Sequence, residues 1–320
     1  MAKLLLGDKH TQHPPWRLSL LWRIVAGVVS LLNIAGRLIS PDTASRLGAR
    51  LGRRFGPGLD KTRLIRRNLK IAFPELSPGE TDELVRNIWA NLGSIVAEYP
   101  HLRTICATRA EERLEIVMQE PLEVFNLTGK PAVFVTAHLG NWEISAAAIA
   151  HLGIPLTVVY TALQNPHMDQ LLSEARDALG FRTVERANAA RELLRRLKHG
   201  TSVGLLVDQR VDSGEPVPFF GKDMLTSTTP AQLALRFNCD LIPVQVQRLQ
   251  DARFRVTFHK PVTADDLNAD SAEQALQITR KINNLFESWI RERPHEWMCT
   301  KRRWPKDPNR GHPDDWGKWD

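Results

Sequence analysis

One histidine of the ten in this 320-residue chain, His138, precedes an acid with H-x4-E spacing, in His138-Leu-Gly-Asn-Trp-Glu143. An apolar run of strand type, 132–137, ends at this histidine, and a turn at 140–141 precedes a helix beginning near Glu143. A carboxylate can hold one imidazole nitrogen while the other takes a proton from a hydroxyl. The pattern therefore favours His138 as a general base oriented by Glu143, with a structural histidine as the alternative.

Other catalytic patterns in the sequence are weaker. The run 200–204 (GTSVG) matches the G-x-S-x-G nucleophile elbow, but a predicted helix precedes its serine and a strand follows, which reverses the required order. The sequence has no P-loop, no Rossmann glycine fingerprint after a strand and no H-E-x-x-H. A metal held by His138 and Glu143 would lack a third ligand close in sequence. We predict neither a metal nor a cofactor.

The body of the chain alternates between predicted strands and helices. The predicted strands are 132–137, 156–160, 203–207, 241–247 and 254–258, and the helices are 81–98, 144–151, 165–179, 189–198, 230–237 and 271–291. This alternation predicts an α/β fold with a mixed sheet covered by helices. Because active sites of such folds gather where strands end, His138 and Asp208 are both well placed for chemistry.

The N-terminal segment suggests contact with a membrane. Residues 18–39 (LSLLWRIVAGVVSLLNIAGRLI) contain only two charges, Arg23 and Arg37, and a helix of this length would be about 33 Å long. The next segment, 46–70, has nine Lys/Arg and one acid, a charge that attracts anionic lipid and marks the cytoplasmic side. We predict a hydrophobic anchor helix with the body at the cytoplasmic face of an inner membrane.

Three alternatives for this segment are a helix lying in the membrane interface, a cleaved signal peptide and a buried core helix. Nucleic acid is the other polyanion that a basic front could bind. Residues 1–70 carry 14 Lys/Arg against 3 Asp/Glu, whereas the remaining residues carry 29 against 33. No zinc finger, RNP-type aromatic motif or clear helix-turn-helix accompanies the basic residues, so we predict no nucleic-acid partner.

Composition limits the class of protein. With 42% apolar and 25% charged residues, the chain has the composition of a folded globular protein and excludes a disordered or collagen-like one. Three cysteines without a C-x-x-C pair argue against a disulfide framework or zinc ribbon, and fit a reducing cytosol. We divide the chain into a membrane-anchor segment (1–40), an α/β domain (41–305) and a loosely ordered tail (306–320).

Several motifs together resemble the lipid A secondary (lauroyl/myristoyl) acyltransferases, which belong to the lysophospholipid acyltransferase superfamily. Besides the N-terminal apolar segment, the motifs are RRNLKIAFPE (66–75), TAHLGNWE (136–143), VDQ (207–209), VPFFG (217–221), EWM (296–298) and RRW (302–304). They cover nearly the whole chain in the family's order. The resemblance implies catalysis by His138 and Glu143, and functional roles for an arginine and an aspartate that correspond to Arg176 and Asp208.

The resemblance also implies a reaction. It implies transfer of an acyl chain from acyl carrier protein to a hydroxyl of a 3-hydroxyacyl chain on a lipid A precursor at the inner membrane. An alcohol attacking a thioester needs a base and oxyanion stabilisation, but no metal. Arg176 would bind a phosphate or sugar acid of the acceptor. The alternatives are a lysophospholipid or other lipid O-acyltransferase with the same dyad, and a non-catalytic protein that binds anionic lipid.

Overall fold

The computed structural model describes residues 16–120, 130–163 and 165–305. The proposed tail, 306–320, lies outside the described residues. The helices are α1 (Trp16–Gly36), α2 (Pro41–Phe55), α3 (Thr62–Ala72), α4 (Pro78–Glu98), α5 (Ala110–Arg113), α6 (Glu143–His151), α7 (Pro166–Asp177), α8 (Ala189–Lys198), α9 (Thr229–Phe237) and α10 (Ser271–Glu292). The strands are β1 (Leu114–Met118), β2 (Val133–Thr136), β3 (Leu156–Tyr160), β4 (Arg182–Glu185), β5 (Ser202–Leu206), β6 (Glu215–Phe219), β7 (Lys222–Thr226), β8 (Leu241–Arg248) and β9 (Phe254–Phe258).

Seven strands form one mixed sheet in the order β1-β9-β8-β2-β5-β3-β4, as the α/β prediction requires. All neighbouring pairs are parallel except β8 and β9, which are antiparallel. Alternate residues of β2 face opposite sides, with Val133 and Val135 in one apolar core and Phe134 in another. Each core is covered by helices, so the central strands are buried on both faces.

The sequence prediction missed β1, β4 and the hairpin of β6 and β7. Strands β1 and β4 are the two edges of the sheet, and β4 reads Arg-Thr-Val-Glu with both end residues exposed. Charged, partly exposed edge strands lack the apolar run by which a buried strand is recognised. In β6 two prolines hide the strand pattern, and the VPFFG motif (217–221) forms the end of β6 and the turn of this hairpin.

Helix α1 is mostly uncovered. The stretch Leu18–Gly36 is, among the described residues, the one long and apolar enough to cross a membrane, and only 12% of it is buried. The side of α1 that contacts the rest of the protein carries the buried Trp22 and Ala26. The Trp22 carbonyl accepts a hydrogen bond from Asn165 Nδ2 at 3.2 Å. A helix so exposed does not fit the buried-core alternative.

Candidate active site

His138 and Asp208 are brought together by the register of two adjacent parallel strands. Thr136 ends β2 opposite Leu206, which ends β5, so the residues two positions further along lie side by side. The distance between His138 Nδ1 and Asp208 Oδ1 is 2.6 Å. The two side chains therefore form a hydrogen-bonded pair at the carboxyl end of the sheet, where α/β proteins place their sites.

Asp208 is fully buried, and Arg303 compensates its charge. An Nη2–H of Arg303, itself almost completely buried, donates to Asp208 Oδ2, and the guanidinium lies 5.3 Å from the centre of the Trp297 ring. Burial alone would raise the pKa of the Asp208 carboxyl, but the positive charge of Arg303 and the contact with His138 hold that pKa well below its usual range. Asp208 is thus a carboxylate, which can only accept hydrogen bonds.

This charge selects the tautomer of the neutral His138 ring. Because Asp208 only accepts, Nδ1 of His138 carries the hydrogen and Nε2 keeps a free lone pair when the ring is neutral. His138 and Gln209 both line a cavity, and the side-chain amide nitrogen of Gln209 lies 3.0 Å from His138 Nε2. An imidazole held in this tautomer can accept a proton at Nε2.

Glu143 has different partners from those that the sequence predicted. The first residue of α6, it accepts hydrogen bonds from Arg176 Nε at 2.9 Å, from Arg176 Nη2 at 2.6 Å and from Tyr99 Oη at 2.9 Å. Among the described residues the carboxylate bonded to His138 is Asp208, so the prediction of a direct His138–Glu143 hydrogen bond is wrong. The spacing places Glu143 at the start of α6, where its carboxylate meets the side chains of Tyr99 and Arg176.

Arg176 is largely buried and is the main partner of Glu143. Its side chain is 15% exposed and forms a bidentate pair with Glu143, which is 5% exposed. Burial would lower the pKa of the Arg176 guanidinium, but the hydrogen bonds to Glu143 outweigh burial and raise it. Burial, followed by the charge of Glu143, raises the pKa of the Tyr99 hydroxyl well above its ordinary value. Tyr99 is therefore a hydrogen-bond donor at neutral pH.

Close packing and buried polar groups fix the turn after His138. Gly140 has φ +53°, and a Cβ there would lie 3.0 Å from the Val246 carbonyl oxygen, so glycine suits both the conformation and the space. The next residue, Asn141, donates to Glu98 Oε2 at 2.9 Å, and Glu98 is paired with Arg248. These contacts fix the backbone that carries the imidazole.

A cavity of about 730 Å³ opens beside these groups, and it is lined by His138, Glu143 and Arg176. Asp208 lies behind His138, outside the lining. The apolar residues of the wall include Leu163, Leu172, Phe181, Leu193, Leu205 and Val211, and polar residues such as Arg186, Glu215, Gln232 and Lys301 also line the cavity. A wall with both kinds of residue suits a ligand that has a long apolar part and a polar part.

Comparison with known proteins agrees with this site. Residues 10–306 match the family described as bacterial lipid A biosynthesis acyltransferase. The chain belongs to this family. As an acyltransferase it is not the non-catalytic lipid-binding protein of the last alternative.

Relatives of this acyltransferase are named for phosphatidylinositol mannoside or for lipid A biosynthesis. A phosphatidylinositol mannoside acyltransferase of Mycolicibacterium smegmatis is 25% identical over 76% of this chain and 79% of its own. A lipid A biosynthesis acyltransferase of Haemophilus influenzae is 22% identical over 89% of each chain. A lipid A biosynthesis palmitoleoyltransferase of Escherichia coli is 22% identical over 82% of this chain and 85% of its own.

Sequence reasoning did not find three of the acyltransferase's polar groups, Tyr99, Gln209 and Arg303. Two of them lie inside motifs that carried the resemblance, Val207-Asp-Gln209 and Arg302-Arg-Trp304. That signal was available for Gln209 and Arg303, although nothing in it says which side chains they contact. Tyr99 follows helix α4 with no pattern of its own.

Proposed function

We propose that the protein transfers a fatty acyl chain from acyl carrier protein to a hydroxyl of a 3-hydroxyacyl chain on a lipid A precursor of the Kdo2-lipid IVA type. The observation that carries this proposal is the Asp208-bonded His138, which lines a cavity that has apolar and polar residues in its wall. Family membership supports the reaction and a lipid A-like acceptor. The carrier protein and the exact acceptor are parts of the proposal.

His138 acts as the base in the proposed mechanism. Nε2 takes the proton of the acceptor hydroxyl as its oxygen attacks the thioester carbonyl carbon, forming a C–O bond and an oxyanion. The C–S bond then breaks, the carbonyl re-forms, and the imidazolium returns its proton to the thiolate leaving group. Asp208 stabilises the imidazolium between these two transfers, and the products are an ester and a free thiol.

Arg176 and Glu143 are proposed to serve the acceptor side of the reaction. Arg176 lines the cavity, and its Nε and Nη2 donate hydrogen bonds to Glu143. Because a guanidinium has five N–H donors, Nη1 can donate to another group. We assign its Nη1 to a phosphate or sugar acid of the acceptor. Glu143 then fixes the guanidinium for this contact and takes part in the site through Arg176.

The proposed location is the cytoplasmic face of the inner membrane, with anionic lipid as partner. The exposed apolar helix α1 and the basic segment after it support this location. Helix α1 contacts the start of α7, the helix that also carries Arg176. An anchor at this place would hold the cavity close to a lipid-embedded acceptor.

A second candidate acceptor is a phosphatidylinositol mannoside, favoured by the 25% identity to an acyltransferase named for that lipid. The same base and cavity would serve it, because the reacting group is again a hydroxyl of an anionic glycolipid. A lysophospholipid acceptor is the third possibility from the sequence.

One experiment separates these acceptors. The purified protein is incubated with a labelled acyl chain on acyl carrier protein or on coenzyme A, and with a tetra-acylated lipid A precursor, a phosphatidylinositol mannoside or a lysophospholipid. Transfer to the lipid A precursor from the carrier protein is expected, and His138→Ala should nearly abolish it, whereas the exposed His199→Ala should not. Preference for another acceptor, or near-normal transfer by folded His138→Ala, contradicts the proposal.

A further inference from the structure

The side chain of Gln209 lies at the nitrogen of His138 that must receive the proton. Its amide nitrogen is 3.0 Å from His138 Nε2 and 3.4 Å from Nδ1. Its amide oxygen accepts a hydrogen bond from Lys301 Nζ at 3.0 Å. An amide can be turned either way, but a lysine ammonium only donates, so the oxygen faces Lys301 and the NH2 group faces the imidazole.

The contacts form a continuous chain from Lys301 through Gln209, His138 and Asp208 to Arg303. Lys301 and Arg303, at its two ends, are obligate donors. Every group between them is therefore oriented: Asp208 accepts from Nδ1, Nε2 keeps its lone pair, and the Gln209 NH2 group is turned toward the imidazole. The chain holds the neutral imidazole in the tautomer that can act as a base.

The acceptor hydroxyl must donate to the in-plane lone pair of Nε2 before it is deprotonated. The Gln209 amide nitrogen, 3.0 Å from Nε2 and 3.4 Å from Nδ1, lies beside the ring and leaves this lone pair open. A hydroxyl on the lone pair would have its oxygen about 4 Å from the amide nitrogen, with the carbonyl that it attacks within reach of the amide N–H. An N–H donor there would meet the negative charge that forms on the carbonyl oxygen.

We propose that Gln209 is a further catalytic residue: its amide N–H, held beside Nε2, donates to the thioester carbonyl oxygen as the acceptor hydroxyl attacks. Lys301 is a positioning residue that keeps the amide nitrogen on the histidine side. The inference rests on the proposed acyl transfer and adds an oxyanion donor supplied by a side chain.

Two substitutions of Gln209 test the two halves of this role. Gln209→Met keeps the length and removes the donor, and kcat should fall about 10²-fold, as for the loss of an oxyanion-hole donor. Gln209→Glu places a negative charge beside Nε2, and the acidic limb of the kcat/KM–pH profile should move to higher pH by about one unit or more. Lys301→Met should lower kcat, and because it removes a positive charge near the imidazole it should also move that limb to higher pH.

The control is Gln250→Glu, which adds the same charge in an exposed turn and should change neither quantity. An unchanged kcat for folded Gln209→Met, or an unmoved acidic limb for Gln209→Glu, overturns the role of Gln209. His138→Ala is measured in parallel. If it is inactive while both Gln209 variants behave like the original protein, only this inference fails, whereas an active His138→Ala protein removes the proposed acyl-transfer mechanism itself.

Discussion

His138 and Asp208 are 70 residues apart in the chain, yet the Nδ1–Oδ1 distance between them is 2.6 Å. The pairing continues the register of β2 and β5, in which every partner of a β2 residue lies 70 positions further on. The imidazole is consequently oriented by the neighbouring strand. The acid of its own H-x4-E motif is bonded elsewhere.

Asp208→Asn should lower kcat more than its small change in shape suggests. Arg303 only donates, so the asparagine oxygen would face Arg303 and its NH2 group would face Nδ1 of His138. That arrangement protonates Nε2 and removes the base, so kcat should fall about 10²–10⁴-fold. The measurement is acyl transfer by a variant whose circular dichroism is unchanged, with the exposed Asp223→Asn as control. Full activity of Asp208→Asn would show that Asp208 does not select the tautomer.

Arg303→Met should destabilise the protein, and less so in acid. The pKa of Asp208 is depressed in the folded state, so the stability from this pair is present above the ordinary value of 3.8 and is lost as pH falls through the folded value. Without Arg303 the buried carboxylate is uncompensated, at a cost of about 3–5 kcal/mol near pH 7. In the variant, burial without Arg303 raises the pKa of Asp208, so urea unfolding should show the deficit shrinking toward pH 4 as Asp208 of the variant takes up a proton. Arg302→Met is the neighbouring control, and an equal deficit at both pH values would contradict the explanation.

Arg176 and Glu143 should be strongly coupled in stability. Arg176→Ala leaves a buried carboxylate and Glu143→Gln leaves a buried guanidinium, so the double variant should lose less stability than the two single losses added together. The acceptor KM should rise in Arg176→Ala and stay raised in the double variant if Arg176 binds the acceptor. Denaturant unfolding and acceptor kinetics measure the two effects, with the exposed Arg182→Ala as control. An unchanged acceptor KM would leave Arg176 with only its structural partner.

Helix α1 should bind membranes through its uncovered apolar side. Leu31 is 68% and Ile34 is 60% exposed, so changing both to Glu should leave the stability of the body nearly unchanged. Binding to vesicles that contain anionic phospholipid should nevertheless fall, because charged side chains are costly in hydrocarbon. Sedimentation with vesicles measures it, and Leu267→Glu, at a residue 70% exposed in a loop, is the control. Equal binding by both variants would argue against α1 as the anchor.

His259 should make the protein less stable in mild acid. Burial lowers the pKa of His259 from 6.5 to about 4, and its ring packs at 4.8 Å from that of Trp289. The unfolded chain therefore binds a proton between these values that the folded protein does not, so stability falls as pH drops from about 6.5 to 4. His259→Gln should reduce the slope of the unfolding free energy against pH, measured by urea unfolding, by the equivalent of up to about one bound proton. The exposed His199→Gln should keep the original slope.

The sequence alone determined the central strands, most helices and the exposed apolar segment, because these depend on local patterns. Strand β3 and helix α8 lie where the apolar runs and periodicity predict, and His138 and Asp208 each follow a buried strand. The literal nucleophile elbow was correctly rejected, since Ser202 begins strand β5 and its hydroxyl binds the Ala132 amide. The edge strands were missed because partly exposed, charged segments carry no such pattern.

Only the tertiary structure decided which side chains are partners. Glu143 is close to His138 in sequence, yet its carboxylate meets Arg176, from helix α7, and Tyr99, from the short 3-10 helix Tyr99–His101 after α4. Asp208 replaces it at the imidazole because strand register places it there. Hydrogen-bond partners depend on which elements, distant in sequence, pack together. A buried carboxylate also needs a positive charge beside it, and the tertiary structure decides which residue supplies that charge. That charge, Arg303 for Asp208, comes from a segment 95 residues further along the chain.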